Sequence, residues 1–141
     1  MIVALLTLSA CSSGATSTDI TVSGITVKSV TIAKNLNANY QPVNPKTQFK
    51  TTDTIYVSID VSGRPTTGTL NGKFFYSDQV IDEATLDFPT INQGVVISIG
   101  EDTFAGMHLT PSQSWPVGTG HKFELTINGT KVGDYLYEVI Q

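Results

Sequence analysis

Hydrophobic and polar residues alternate with a period of two along most of the chain after residue 19. Residues 54–61 show this most clearly, because every second position is Ile or Val and most positions between them are polar. Successive side chains of a strand point to opposite faces of a sheet, so the pattern predicts a strand with one buried face. The predicted core positions of that strand are Ile55, Val57, Ile59 and Val61.

Further segments alternate in the same way or are rich in β-branched residues, and turn residues separate them. The predicted strands cover residues 20–30, 54–61, 68–76, 80–88, 95–99, 104–109, 121–127 and 132–140. A break or bulge is predicted at Gly24, and residues 35–48 form a predicted connection rich in Pro and Asn. Asn71-Gly72 is predicted to be a hairpin turn or a bulge, and Asn128-Gly129 fits a type I′ hairpin turn.

No window of the sequence shows a sustained 3.6-residue hydrophobic period, which argues against amphipathic helices. Short strands separated by turn residues every 8–12 positions are typical of immunoglobulin-like folds. The sequence therefore predicts an all-β chain, an immunoglobulin-like sandwich of about seven to nine antiparallel strands.

The beginning of the chain has a different pattern, because residues 2–8 form an apolar run that ends in Leu8-Ser9-Ala10-Cys11. This segment resembles a bacterial lipoprotein signal peptide with its lipobox. The resemblance implies that Cys11 is acylated, palmitate being an expected chain, and becomes the first mature residue. The run is far shorter than the roughly 18 apolar residues of a membrane-spanning helix. No Lys or Arg precedes it, although a positive start is usual, and a buried first strand is the alternative interpretation.

The resemblance also predicts a domain organisation and a location. Residues 1–10 are the signal peptide, residues 11–19 are the lipidated Cys and a small polar tether, and residues 20–141 are the immunoglobulin-like domain. In enteric bacteria an Asp after the cysteine directs retention in the inner membrane. Ser12 stands there instead, so the resemblance implies a cell-envelope lipoprotein of the outer membrane.

Composition removes several classes of function. All eight Lys and Arg and all twelve Asp and Glu follow Cys11, so the mature chain keeps the net charge of -4. Nucleic-acid binding requires a basic patch, and this balance gives none. The single cysteine excludes an internal disulfide framework. We expect no cofactor.

The end of the chain carries a second resemblance. Trp115-Pro116-Val117-Gly118, an alternating strand ending at Asn128-Gly129, and a closing strand from Val132 resemble immunoglobulin-like modules of secreted and lipid-anchored bacterial proteins. In those modules a Tyr near the start of the alternating strand hydrogen-bonds to the backbone through its hydroxyl. His121 stands at that position here, which is a departure from the pattern.

Residues that could carry chemistry are few and lack a catalytic or metal-binding pattern. His108 and His121 are the only histidines, and their spacing matches no zinc motif. No Gly-x-Ser-x-Gly elbow is present. The acidic residues Asp78, Asp82, Glu83 and Asp87 do not have EF-hand spacing, and they indicate the solvated face of an edge strand. We predict no catalytic or metal-binding residue and no enzyme activity.

Aromatic residues provide the candidate partner site. Phe74 and Tyr76 share one face of a predicted strand, and Trp115 either offers a ligand platform or packs across the end of the sandwich. We predict a non-enzymatic, membrane-anchored lipoprotein that binds a protein or glycan as adhesin, adaptor or assembly component. The alternative is a tethered soluble-ligand binder or enzyme inhibitor with a plug formed by residues 41–48 and Trp115. A hydrolase is the least favoured class.

Overall fold

The computed structural model describes residues 15–16, 19–62, 65, 67–88 and 103–141. The predicted signal peptide 1–10, the predicted lipidation site Cys11 and the predicted strand 95–99 lie outside the described residues. Of the predicted tether 11–19, the structure describes residues 15, 16 and 19.

The described residues form two β-sheets. The six-stranded sheet contains β1 (Ala15–Thr16), β2 (Ile20–Val22), β3 (Ile25–Leu36), β4 (Pro42–Pro45), β6 (Ile55–Ser62) and β9 (Thr103–Leu109). The five-stranded sheet contains β5 (Gln48–Lys50), β7 (Thr69–Tyr76), β8 (Gln79–Asp87), β10 (Gly118–Ile127) and β11 (Thr130–Ile140). Helices that could cross a membrane are not found among the described residues.

The strand order is that of an immunoglobulin-like sandwich, so the predicted fold class is confirmed. One sheet runs β1-β3-β6-β9 and the other runs β5-β11-β10-β7-β8. The second order matches the G-F-C arrangement with an added C′ strand in immunoglobulin folds, and β3-β6-β9 matches the A-B-E arrangement. Eleven strands are described, which is more than the seven to nine predicted. The difference comes from short strands, because β1, β2, β4 and β5 are only two to four residues long.

The core lies between the inner faces of the two sheets. All four predicted core positions of β6 are fully buried, and so are Phe123, Leu125 and Ile127 of β10. The period-two pattern of these strands therefore predicts correctly which of their faces points into the core. Ser58 is buried on the other face of β6, where its hydroxyl donates a hydrogen bond to the Tyr40 carbonyl oxygen at 2.6 Å.

Two sequence-based expectations about connections are wrong. The segment 35–48 is not a plain connection, because β3 continues to Leu36 and β4 pairs antiparallel with it. Asn71-Gly72 is neither turn nor bulge but lies inside β7, paired with β8 and β10. A β-carbon on Gly72 would lie 2.4 Å from Met107 Sδ and 2.6 Å from the Phe123 ring, so packing between the sheets requires glycine there.

Two-residue turns with positive φ at both positions close three hairpins. The predicted type I′ turn at Asn128-Gly129 is confirmed, with φ of 48° and 83°. The predicted break at Gly24 is the second position of such a turn, with Ser23 before it. The third turn, Ser77-Asp78, joins β7 to β8 and was not recognised in the sequence.

β8 and β9 position the site. Among the described strands, β8 is the last of the five-stranded sheet and β9 is the last of the main path of the six-stranded sheet. They lie on the same side, because Gly72 of β7 meets Met107 of β9 across the core. The sequence predicts that the acidic residues lie on the solvated face of an edge strand. Asp82, Glu83 and Asp87 are exposed on β8, in agreement with this prediction.

Candidate binding cleft

A cleft of about 480 Å³ opens between the beginning of β8 and the segment that follows β9. Its first wall consists of Tyr76 and residues 79–82, and its second wall consists of residues 109–116. This volume lies within the range of ligand pockets in proteins, roughly 300–1,000 Å³. We refer to this feature as the cleft.

Trp115 fixes the course of the second wall. Its side chain is buried, and its indole Nε1–H donates a 2.8 Å hydrogen bond to the Asp53 carbonyl oxygen. Its backbone N–H donates a second 2.8 Å bond to the Thr51 carbonyl oxygen. The turn before β6 therefore holds the segment that leaves β9, and an indole buried in this way has its polar group satisfied.

His121 supports the cleft from the interior and is fully buried. Its Nε2–H donates a 2.8 Å hydrogen bond to the Pro116 carbonyl oxygen, five residues upstream. This is the backbone bond that a corner Tyr makes at the start of the corresponding strand in immunoglobulin folds. The imidazole therefore replaces the phenol at this corner, and the bond fixes the proton on Nε2.

Aromatic rings surround that imidazole on three sides. Its centroid lies 4.5 Å from the Tyr76 ring, 5.1 Å from the Tyr137 ring and 5.9 Å from the Trp115 ring. Burial lowers the pKa of His121, although its bond to Pro116 opposes this effect. Burial also disfavours the charged form of Tyr137, and it therefore raises the pKa of that phenol. Neutral, packed rings therefore lie in the interior of the sandwich, behind both walls of the cleft.

The rim of the cleft carries exposed apolar side chains. Val80 is 51% exposed and Ile81 is 42% exposed, although both lie on an ordered strand. The pairing of β7 with β8 shifts here, because Phe74 pairs with Asp82 whereas Phe75 pairs with Val80. Ile81 is the extra residue of this bulge, and a bulge in an edge strand redirects side chains and twists the edge. The polar side chains around the cleft are Gln79, Asp82, Thr110, Ser112, Gln113 and Ser114.

The structure separates the three residues of the predicted partner site. Tyr76 and Trp115 both line the cleft, with Tyr76 half-buried and Trp115 packed across the end of the sandwich. Phe74 is buried and packs on the Phe123 ring at 5.1 Å, so its placement on a partner surface is wrong. The physical reason is that successive side chains of β7 point to opposite faces of the sheet, and the face that carries Phe74 is the one that packs into the core. Phe75 points outward, where Lys122 Nζ covers its ring at 4.8 Å.

Sequence reasoning missed Val80 and Ile81 as surface residues. They belonged to a hydrophobic series that a strand pattern assigns to a core. The available signal was the Ser77-Asp78 turn before them and the carboxylates after them, which together mark an edge. Residues 41–48, the other part of the predicted plug, are not among the residues that line the cleft, and residues 42–45 form β4.

The cleft offers packing and hydrogen bonding, and its own residues do not form a metal or catalytic cluster. His108 is exposed on the outer face of the six-stranded sheet, where it stacks on Tyr56 at 5.6 Å. Among the described residues, groups of three His, Cys, Asp or Glu side chains that could hold a metal ion do not occur. No family model matches the chain, and no curated protein matches it. The fold defines the chain as a β-sandwich protein, and the described residues add a cleft beside β8.

Proposed function

We propose that this chain is a non-enzymatic lipoprotein of the bacterial cell envelope. Cys11 carries the lipid, the outer membrane holds it, and the sandwich binds a protein or glycan partner as adhesin, adaptor or assembly component. The observation that carries the binding function is the cleft, because it combines a concave shape with exposed apolar side chains at Val80 and Ile81.

The chemistry of the cleft supports recognition of a partner. Its walls rest on packed rings and on hydrogen bonds from Trp115 Nε1–H and His121 Nε2–H to backbone carbonyl oxygens, which hold them in place before a ligand arrives. A preformed surface lowers the entropy lost on binding. Ser and Gln side chains around the rim offer both donors and acceptors to a ligand.

A tethered binder of a soluble ligand is the second candidate function. The volume of about 480 Å³ favours it, since a surface of that size can enclose a small molecule. This candidate differs from the first in its occupant and uses the same cleft.

The anchor is tested by metabolic labelling with a palmitate analogue in a bacterial host. We expect label and membrane fractionation for the native chain, and neither for the Cys11→Ser variant. Label that persists in the variant, or a native chain that stays unlabelled and soluble, contradicts the lipoprotein assignment.

The binding surface is tested in the same cells with a photo-crosslinking amino acid. The probe replaces Gln79 in the cleft, and a control probe replaces Leu136, which is 68% exposed on the outer face of the five-stranded sheet. We expect one protein adduct from position 79 that position 136 does not give, and that Ile81→Lys removes. A folded, lipidated chain without such an adduct contradicts a protein partner, and binding of a glycan or small molecule then replaces it.

A further inference from the structure

We infer that the edge of β8, which pairs with β7 alone among the described residues, accepts an extended peptide segment rich in Lys or Arg as an additional strand, with an apolar side chain of that segment seated in the cleft. The inference deepens the proposed function and rests on it, because it names the chemical class of the partner. Three features of β8 and the cleft carry it.

The first feature is the position of β8. It ends the order β5-β11-β10-β7-β8 and pairs with β7 alone among the described residues. Each residue of a strand offers backbone groups alternately to its two sides, so the side of β8 away from β7 presents donors and acceptors to a partner. Nine residues, from Gln79 to Asp87, are long enough to template a strand.

The second feature is charge. Asp82, Glu83 and Asp87 lie on β8, Asp78 lies in the turn before it, and no Lys or Arg occurs between residues 78 and 88. Two of these carboxylates accept hydrogen bonds from neutral groups: Asp87 from the Thr69 hydroxyl, and Asp82 from the Glu83 N–H. These contacts leave the negative charge in place.

Nearby cations offset this charge only in part. Lys73 is the cross-strand neighbour of Glu83 on one side and of Glu124 on the other. Lys122 pairs with Asp134 at 3.7 Å, and Lys131 pairs with Asp134 at 2.7 Å and with Glu124 at 3.5 Å. A basic segment added to β8 would therefore meet an edge with excess negative charge, which attracts it and sets its register.

The third feature is the bulge at Ile81. It interrupts regular pairing at the beginning of β8, so an added strand has regular geometry only from Asp82 to Asp87. Past the Asp82 end of this paired segment, the added chain would reach the cleft, whose walls include Ile81 and Trp115. An apolar side chain one or two residues past the paired segment would fill it.

The charge of β8 also argues against a second copy of this chain as the occupant. Pairing two β8 strands would place the carboxylates of both copies along one junction, and like charges opposite one another destabilise a sheet. The same charges disfavour a nucleic acid. A basic, extended peptide is the occupant that satisfies the backbone edge, the charges and the cleft together.

The test uses the full lipidated chain in detergent and fluorescent synthetic peptides of ten residues. One peptide alternates Lys with Val and Thr and ends in a Phe, and a second replaces each Lys by Glu. A third keeps the Lys residues but carries N-methyl groups on alternate amides, which block strand pairing without removing charge. Fluorescence anisotropy gives the dissociation constants.

We expect the Lys peptide to bind at least tenfold more tightly than the Glu and N-methylated peptides, and to weaken as salt is added. Replacing the acids of β8 by amides (Asp82→Asn, Glu83→Gln, Asp87→Asn) is expected to weaken binding at least tenfold. The matched control (Asp19→Asn, Asp134→Asn, Glu138→Gln) removes equal charge at positions outside β8 and should change binding less than twofold. Ile81→Lys should weaken binding, whereas Leu136→Lys should not.

Equal binding of the N-methylated peptide overturns strand addition, and equal binding of the Glu peptide overturns the charge argument. A neutral oligosaccharide that binds the cleft when the peptides do not replaces the inference with glycan recognition. These failures are distinguishable from failure of the proposed function. A specific adduct at position 79 in cells, together with no preference for the Lys peptide, leaves a binding module with another partner class.

Discussion

At the scale of single residues, His121 is held with one ring nitrogen bonded and the other without a hydrogen-bond partner among the described residues. Its Nε2–H stabilises the corner through the Pro116 carbonyl oxygen, while Nδ1 remains a buried acceptor. Protonation of Nδ1 would place a charge in an apolar environment between Tyr76 and Tyr137, which is why burial lowers the pKa of this histidine.

The first prediction concerns pH. The unfolded chain binds a proton at this histidine below about pH 6.5, whereas the folded chain resists protonation, so stability is retained above that pH and is lost as pH falls towards the folded pKa. We expect the free energy of unfolding to contain a term that falls by at most about 1.4 kcal/mol per pH unit. Denaturant unfolding at pH 7.5 and 5.5 measures it.

His121→Phe isolates this term, because the variant keeps an aromatic ring at the position and lacks the titrating group. Its unfolding free energy should fall less between the two pH values than that of the native chain, and carboxylates contribute equally to both. His108→Phe is the matched control, since it removes the exposed histidine and keeps His121. Equal pH dependence in the native chain and His121→Phe would contradict the prediction.

The second prediction concerns Gly72. Its position beneath the Phe123 ring has no room for a β-carbon, and Phe123 is itself fixed against Phe74. We expect Gly72→Ala to lower the free energy of unfolding by about 1–3 kcal/mol through overpacking. Gly120→Ala is the control, because the nearest atom there is the Ser77 hydroxyl at 3.3 Å. A loss no larger in Gly72→Ala than in the control would show that the sheets can separate locally.

At the scale of elements, the sequence is informative where local pattern and tertiary packing agree. The inward face of β6 was predictable because Ile55, Val57, Ile59 and Val61 alternate with mostly polar residues. Which face of β7 points inward was not predictable from the sequence, because Phe74 and Phe75 are both aromatic. Only packing against Phe123 selects Phe74 for the core. Asn71-Gly72 also has the chemistry of a turn, and tertiary packing overrides it.

The cleft was harder to predict than the strands, because its second wall depends on a contact between distant residues. The Trp115 indole bonds to the Asp53 carbonyl oxygen, 62 residues earlier in the chain. Nothing in the local sequence indicates that partner. The edge position of β8 was predictable from its acids, but the exposed side chains of Val80 and Ile81 depend on where the sheet ends.

The third prediction concerns β8 as an edge. Its carboxylates should prevent β8 from pairing with itself in other copies, since charge on an edge strand discourages edge-to-edge association. We expect the triple amide variant of β8 to have a larger weight-average mass than the native chain in sedimentation velocity at equal concentration. The control triple variant (Asp19→Asn, Asp134→Asn, Glu138→Gln) has the same net charge as the β8 variant and should sediment like the native chain. Association of both variants would indicate an effect of net charge alone.

At the scale of the whole molecule, the strand order sets the direction in which the cleft faces. β1 pairs with β3, and β9 lies at the opposite edge of the same sheet, about 14 Å away at three strand spacings. β8 and the cleft are on the side of β9. Ala15 and Thr16, which the sequence placed in a flexible tether, are therefore paired at the edge far from the cleft.

The fourth prediction follows from the proposed lipid anchor and concerns the orientation of the molecule on the membrane. With Cys11 acylated, a cysteine introduced at Lys34 of β3 or at Glu83 of β8 is the single free thiol for a fluorescent label. We expect a lipid-borne quencher to act more strongly on the label at position 34 than on the label at position 83. The reverse order would mean that the cleft faces the bilayer.

The pairing of β1 also has a mechanical consequence. The chain from Cys11 to Ala15 spans at most about 14 Å, but β1 holds only two residue pairs and β2 holds three. A partner pulling on the cleft would peel β1 from β3 first and then β2, whose Ile20 and Val22 pack against the core. Together these steps would lengthen the reach of the proposed lipid anchor by about 30 Å. The remaining strands would keep their pairing, so the molecule would extend under load without losing the surface that holds the partner.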